Sequence, residues 1–265
     1  MTKTADFRRL HQSGILLLAN AWDAGSARLV ESLGGKAVAT TSAGVAWAWG
    51  YKDGHALPLE RLLQTASAII RAIEVPLTLD MERGFGNTPE EVAAAVTSVA
   101  RLGVAGLNIE DADLPPEHLV ARIKAIRAAL KREGLDIFIN ARTDVYLRGL
   151  APEGQRAAEC IRRAGLYEEA GADGIFPAGM TDMGDIAAMV KGTRLPVNIM
   201  ARPTLAPAAE LEKLGVRRIT AGSAISEAMY AHAARLAGGF LKDGLSAPVT
   251  AESMPYPQVN GLMKA

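Results

Sequence analysis

Asp80 and Glu82 stand two residues apart at the end of the apolar run PLTLDME (76–82), with Gly-Phe-Gly just beyond. In an extended chain, residues two apart share a face. The pair is either two solvated acids at a strand end, neutralised by Arg83, or the floor of a metal site. The spacing recurs. Asn108 and Glu110 are paired in GLNIED (106–111), Asn140 and Arg142 in DIFINART (136–143), and Thr40 and Ser42 in KAVATTS (36–42). Asn198 closes the list in PVNIMA (196–201), as the end of a seventh run. These groups interrupt runs otherwise built from Val, Ile and Leu. Burying charge is costly unless it is paired or metal-bound. Three acids and an arginine converging on one place call for a hard divalent cation, most simply Mg²⁺, which takes oxygen ligands and keeps several waters.

Other polar residues carry two readings each. Glu110-Asp111 also reads as the cap of a following helix, and Arg142 as a structural partner for one of the acids. Trp47, Trp49 and Tyr51 read as a packed loop or as a wall that keeps water from a pocket. AGSAIS (221–226) reads as a tight turn or as a phosphate cradle on a helix. His11, His55, His118 and His232 show no metal-ligand spacing and no triad partner. Cys160 sits in the helical run AAECIRRAG and reads as a buried, inert thiol.

Elements that would position these groups alternate along the chain. Eight short apolar runs begin near residues 15, 36, 76, 106, 136, 174, 196 and 217. Each has the length of a buried strand. Between them lie Ala-rich stretches with helical spacing, such as PEEVAAAVTSVARLG (89–103), where Thr88 reads as the N-cap and Pro89 as the first helical residue. LGGKA (33–37), LGVAG (102–106), AGADG (170–174) and LGVRR (214–218) each read as a helix ending on glycine just before a strand. Eight strand–helix units in a chain of 265 residues predict a (β/α)₈ barrel. An open doubly wound sheet is the runner-up, but no strand run is followed by GxGxxG. In a barrel, the polar strand ends gather at the C-terminal mouth. Residues 1–243 form one domain on this reading, and residues 244–265 an extended tail or partner-binding arm.

Composition narrows the partners. Lys plus Arg equals Asp plus Glu, at 29 each, so no bulk charge points to nucleic acid or to an anionic membrane. The longest aliphatic run near the start, Ile15 to Ala19, is too short for a signal-peptide core or a membrane span. A single cysteine excludes an internal disulfide. Together these point to a cytoplasmic protein.

TTSAGVAWAWGYKDG, LTLDMERGFGN, GLNIEDA, NARTDVYL, GADGIFPAG and PVNIMA, in this order over about residues 6–240, resemble the isocitrate lyase/phosphoenolpyruvate mutase superfamily. The resemblance implies a (β/α)₈ barrel whose C-terminal helix is exchanged between subunits of a dimer or tetramer. It implies Mg²⁺, or Mn²⁺ in its place, and a small 2-oxo or 2-hydroxy acid substrate. The metal residues would be Asp80 directly and Glu82, where many members have Asp, through water or by its own longer reach. Glu110 and Asp53 would act through water. Arg142 would bind the substrate carboxylate, with Thr41, Ser42 and Ala43 at the other end and Asp80 and Asn198 also on the substrate, and Arg142, Asp53 and Glu110 would serve catalysis. Lyases of the superfamily carry a Lys-x-Cys-Gly-His loop after the fourth strand, and phosphonomutases a Lys and Asn there. This chain reads EDADLPPEHLV (110–120) instead. That departure points to a reaction needing no acid from the loop, with oxaloacetate decarboxylation as the leading expectation. Phosphonopyruvate hydrolase or phosphoenolpyruvate mutase chemistry, a 2-methylisocitrate-lyase-like retro-aldol cleavage, and a non-catalytic 2-oxo-acid-binding barrel are the alternatives.

Overall fold

The computed structural model describes residues 2–263. A leading helix, α1 (Lys3–Arg9), precedes β1 (Leu16–Leu18) and β2 (Asn20–Ala21), which are one strand interrupted at Ala19. Then come α2 (Ala24–Ser32), β3 (Val38–Thr40), α3 (Ser42–Ala48), α4 (Leu59–Ala72), β4 (Leu77–Asp80), α5 (Pro89–Arg101), β5 (Gly106–Glu110) and α6 (Pro116–Glu133). The second half runs β6 (Phe138–Thr143), α7 (Val145–Arg148), α8 (Arg156–Ala170), β7 (Gly174–Pro177), α9 (Met183–Gly192), β8 (Asn198–Met200), α10 (Ala208–Leu214), β9 (Arg218–Thr220) and α11 (Ala224–Asp243). Two short helices, α12 (Ala247–Ala251) and α13 (Tyr256–Leu262), follow.

All strand pairs are parallel. β2 through β7 pair in chain order, and β8 pairs with β9 and β9 with β1. A bridge from Ile175 to Val197 joins the two sheets, so the strands close into an eight-stave (β/α)₈ barrel. Parallel neighbours need a crossover between them, and the helices supply it. Thr88 accepts from the Glu91 N–H while the Glu91 side chain reaches back, with Pro89 in the first turn of α5. α8 and α10 end on Gly171 and Gly215, both left-handed, which frees the chain to turn into the next strand.

The two faces of each stave have separate duties. Leu79, Leu107, Ile109 and Ile139 pack outward with Val92, Val96, Ile123 and Ile126 of the helices, all fully buried. Their alternates point into the barrel. At the N-terminal end Phe7, Leu16, Leu18, Ala39 and Phe138 form a second apolar cluster that plugs it. Gly106 lets α1 approach, because a Cβ there would meet the Phe7 ring at 2.7 Å. Above this plug lies Arg218, 1 % exposed, donating to Asn108 Oδ1 at 3.3 Å, which also accepts from Asn140 at 2.9 Å.

Several local expectations change. TTSAGVAWAW is helical from Ser42, so the chain after β3 leads into a helix and not a loop. Residues 247–251 and 256–262 are helical and not an extended tail, and Arg28 Nε donates to the Leu262 carbonyl at 2.7 Å. Residues 264 and 265 of that segment lie outside the described residues. Asn198 begins β8 instead of ending a strand. β4 stops at Asp80, so Glu82 lies beyond the strand with a φ of 47°. Among the described residues no helix is long and apolar enough to cross a membrane.

His11 ties stability to pH. It stacks on Phe138 with centroids 4.4 Å apart, and its Nδ1 lies 2.8 Å from the Phe7 carbonyl. Burial, then the charges of Arg218 and Arg8, push it down to about 3 against the Phe7 hydrogen bond. The unfolded chain therefore binds the extra proton between about pH 6.5 and 3, so this contribution is complete above that window and is lost as pH falls. Going from pH 7 to pH 5 should cost about 2 kcal/mol of unfolding free energy through this group alone. Urea denaturation at the two pH values checks it, and His11→Phe should shrink the difference.

Candidate active site

A cavity of about 220 Å³ opens at the C-terminal ends of the strands. Asp80, at the tip of β4, reaches it, with its N–H held by Thr40 Oγ1 at 2.9 Å and its carboxylate 3.4 Å from the Ser42 N–H. Thr41, Ser42 and Ala43 line the cavity as the first turn of α3, where N–H groups have no partner one turn back. Asp53 enters from the loop between α3 and α4, and Arg142 from β6. The structure thus brings six of the sequence-predicted residues to one small space. Leu147, Phe176 and Met200 supply apolar wall, and Arg202 stands on the same cavity, as do Gly222 and Ser223 before α11.

Three predicted residues do not line it. Glu110 stands beside Arg142, its Oε2 3.0 Å from Nη1. Glu82 leaves the shared face because the strand has ended, and its Oε2 accepts from the His55 N–H at 2.6 Å. Asn198 is 1 % exposed in the barrel interior, and neither of its side-chain polar atoms has a partner. Trp47 packs edge-on to Tyr230, Trp49 donates to Thr65 at 2.9 Å, and they and Tyr51 lie off the cavity, so the expected aromatic wall is corrected to an apolar one of Phe176, Leu147 and Met200. Cys160 is fully buried, and burial pushes its thiol up to about 12, which leaves it inert.

Arg142 is held on two sides. Asp144 takes its Nε and Nη2 at 2.7 and 3.1 Å, a bidentate pair, while Glu110 takes Nη1. Burial alone would lower this guanidinium, yet Glu110, Asp144 and Asp80 raise it above its ordinary value. Asp144 is fixed in turn. Its N–H donates to Asp111 Oδ1 at 3.0 Å, and Asp111 Oδ2 accepts from Arg163 at 2.7 Å and from the Tyr167 hydroxyl at 2.6 Å. Asp111 therefore caps no helix, and a strut runs from α8 to the cavity. Sequence reasoning missed Asp144, although its position two residues after Arg142 in ARTD carried the same alternate-residue signal. It missed Arg202, which follows β8 with no such signal.

The acids are short of positive charge. Burial, then Asp80 and Asp53, push Glu82 up to about 7 despite the His55 bond. Burial, then Asp80, Asp144 and Glu82, push Glu110 up to about 7 although Arg142 opposes it. Among the described residues no three His, Cys, Asp or Glu side chains group closely enough to hold a metal ion alone. Carboxylates in excess, with two of them, Asp80 and Asp53, on a cavity of about 220 Å³, fit a hard ion that keeps much of its water, and Mg²⁺ is such an ion. Asp80 would hold it with Asp53 nearby.

Residues 7–241 match the phosphoenolpyruvate phosphomutase family. The chain belongs to that family. An uncharacterised protein of Mycobacterium tuberculosis is 35% identical over 96% of this chain and 94% of its own. The oxaloacetate decarboxylase of Pseudomonas entomophila is 31% identical over 82% of this chain and 78% of its own. Among solved structures, a 2,3-dimethylmalate lyase of the phosphoenolpyruvate mutase/isocitrate lyase superfamily superposes with a TM-score of 0.87 at 25% identity, covering 99% of this chain and 95% of that one. Lyases and mutases thus surround this chain in its superfamily. Here β5 and α6 are joined by only five residues, Asp111 to Pro115.

Proposed function

We propose that the protein is a Mg²⁺-dependent carbon–carbon lyase acting on a small 2-oxo acid, with decarboxylation of an oxaloacetate-type substrate as its reaction. The observation that carries this reading is a cavity of about 220 Å³ lined by a clamped arginine, Arg142, a carboxylate, Asp80, and a second arginine, Arg202. An acidic residue for metal, one guanidinium for each of two carboxylates, and room for a four-carbon acid suit such a substrate. The oxaloacetate decarboxylase relative supports the same reading. So does the five-residue loop after β5, too short to deliver an acid over the cavity.

When bound, Mg²⁺ supplies a Lewis acid for the 2-oxo group. Arg142 grips a substrate carboxylate through the N–H groups of Nη1 and Nη2 that its acid partners leave over, and a guanidinium suits that role better than an ammonium. Asp144 and Glu110 stop the guanidinium from swinging away. The N–H groups of Ser42 and Ala43 and the Thr41 hydroxyl hold the oxygens at the other end. Leu147, Phe176 and Met200 give one part of the cavity an apolar lining, which strengthens the charge contacts beside it. The bond from C3 to the departing carboxylate breaks, its electron pair passes into the enolate of pyruvate, and CO₂ leaves without help from an acid. Water then protonates C3. Asp53 would support a bound metal from the cavity, while Glu110 braces Arg142 and Glu82 holds the segment that carries Asp53, and losing one of these should cost about 10–100-fold in metal affinity or activity.

The resemblance also supports a homo-oligomer. α11 buries only Ser226 and exposes Ile225, Met229, Tyr230, Phe240 and Leu241, a large apolar surface for an isolated chain. A second copy, exchanging this helix into a dimer or tetramer, would cover it.

Three measurements follow. Pyruvate release from oxaloacetate, with and without EDTA, should exceed that of free Mg²⁺ and vanish on chelation, and Arg142→Lys should lower kcat/KM about 10–100-fold. A metal-loaded protein no faster than free Mg²⁺ sinks the decarboxylase, and phosphate release from phosphonopyruvate would assign the bond to phosphorus instead. Arg202→Leu should raise KM for oxaloacetate about tenfold with kcat little changed, as expected for loss of one charge-assisted contact, and leave pyruvate inhibition unchanged. Equal losses for both acids would remove Arg202 from substrate choice. Light scattering of the full chain at micromolar concentration should give a dimer or tetramer, and a monomer would count against helix exchange.

A further inference from the structure

A second cavity, of about 480 Å³, lies beside the mouth between the loop entering α4, the turn after β4 and the flank of α6. His55, Arg83, Asn87 and Arg122 provide its polar lining. Arg122 is only 8 % exposed, yet among the described residues it has no hydrogen bond and no ion pair. Its neighbour makes matters worse. Burial lowers Arg122, and the charge of Arg83 lowers it further. Arg83 gives one nitrogen to Asp113 at 2.7 Å, on the exposed side, while its buried Nε has no partner. The Arg122 stem is buried while its guanidinium opens on the cavity, where no carboxylate of the described residues meets it. Two guanidinium groups that repel each other across a cavity need an anion between them.

We propose that this cavity is a binding site for a small oxyanion, a phosphate or a carboxylate, held by Arg122 and Arg83. It is separate from the Asp80 cavity and does not rest on the reaction assigned there. Guanidinium groups are matched to oxyanions by their planar donor edges, which offer paired N–H bonds. Asn87 adds an amide on the same wall. The site also touches the turn that carries Glu82. In that turn Glu82 and Phe85 have φ values of 47° and 57°, and a bound anion would hold Arg83 and so fix the conformation of the segment.

Calorimetry on the full chain, with inorganic phosphate and with succinate at constant ionic strength, tests the site. Saturable binding of either that weakens at least tenfold in Arg122→Met supports it, and the arm that binds names the source as phosphoryl or carboxylate. In buffer free of both anions, Arg122→Met should melt at or above the parent temperature, because the unpaired charge is gone while the stem's volume remains. Arg83→Gln, at the half-exposed position, should weaken the same binding and guards against a folding defect. Absence of saturable binding by both anions overturns the proposal. So does binding that survives Arg122→Met, or a marked fall in melting temperature of that variant in anion-free buffer.

Discussion

The structure depends on one constraint: a guanidinium must be held still at the mouth of the barrel while surrounded by acids. Arg142 meets it by a bidentate bond to Asp144 on one side and a 3.0 Å contact with Glu110 on the other. Removing either acid would free a rotamer-rich side chain and leave a buried charge with less compensation. Register explains why these groups meet. Glu110 and Arg142 are Cα partners across β5 and β6, so the pair arises from strand pairing itself. Asp144 cannot pair by register, since β6 has ended, and the Asp111–Arg163–Tyr167 cluster does that work from α8.

The same logic of inward-facing polar residues extends downward. Asp80, Asn108 and Asn140 are successive register partners on neighbouring staves. Below them Arg218 fills the interior and is lowered to about 9 by burial, partly offset by Asp80. The barrel thus carries a polar column from its mouth to an aromatic plug at Phe7 and Phe138. A purely apolar interior would be easier to build. The column instead places the Arg218 guanidinium beneath Asp80, the residue that faces the cavity.

Much of this was legible from residue order. Short apolar runs located all eight staves, and glycine stops preceded four of them, because buried parallel strands and helix ends leave strong local signals. The mouth residues Asp80, Arg142 and Ser42 followed from their positions near strand ends. What was not legible depended on distant chain. Asp111 needs Arg163, which is 52 residues away, and no local pattern announces that pairing. Arg122 reads as one more charge on an amphipathic helix until α6 is packed and its partners are found missing. The tail reads as extended because its prolines break periodicity, yet Pro255 precedes α13 and Pro257 lies in its first turn, where proline is compatible with a helix.

Glu82 shows how one methylene redistributes duties. Superfamily members often have Asp at the matching position, a residue with shorter reach. Here the chain leaves the strand after Asp80 and turns through the left-handed region at Glu82, so the side chain starts from a different direction. Its extra length carries the carboxylate to the His55 N–H and not to the cavity. Asp53, two residues before His55, is the acid that faces the cavity from that loop. Glu82 therefore acts on the site through the backbone of the Asp53–His55 segment. The loop between α3 and α4 and the turn after β4 become one mechanical unit, joined by this 2.6 Å bond. The acids that face the cavity are then Asp80 and Asp53, one from a rigid strand and one from a loop whose position Glu82 sets.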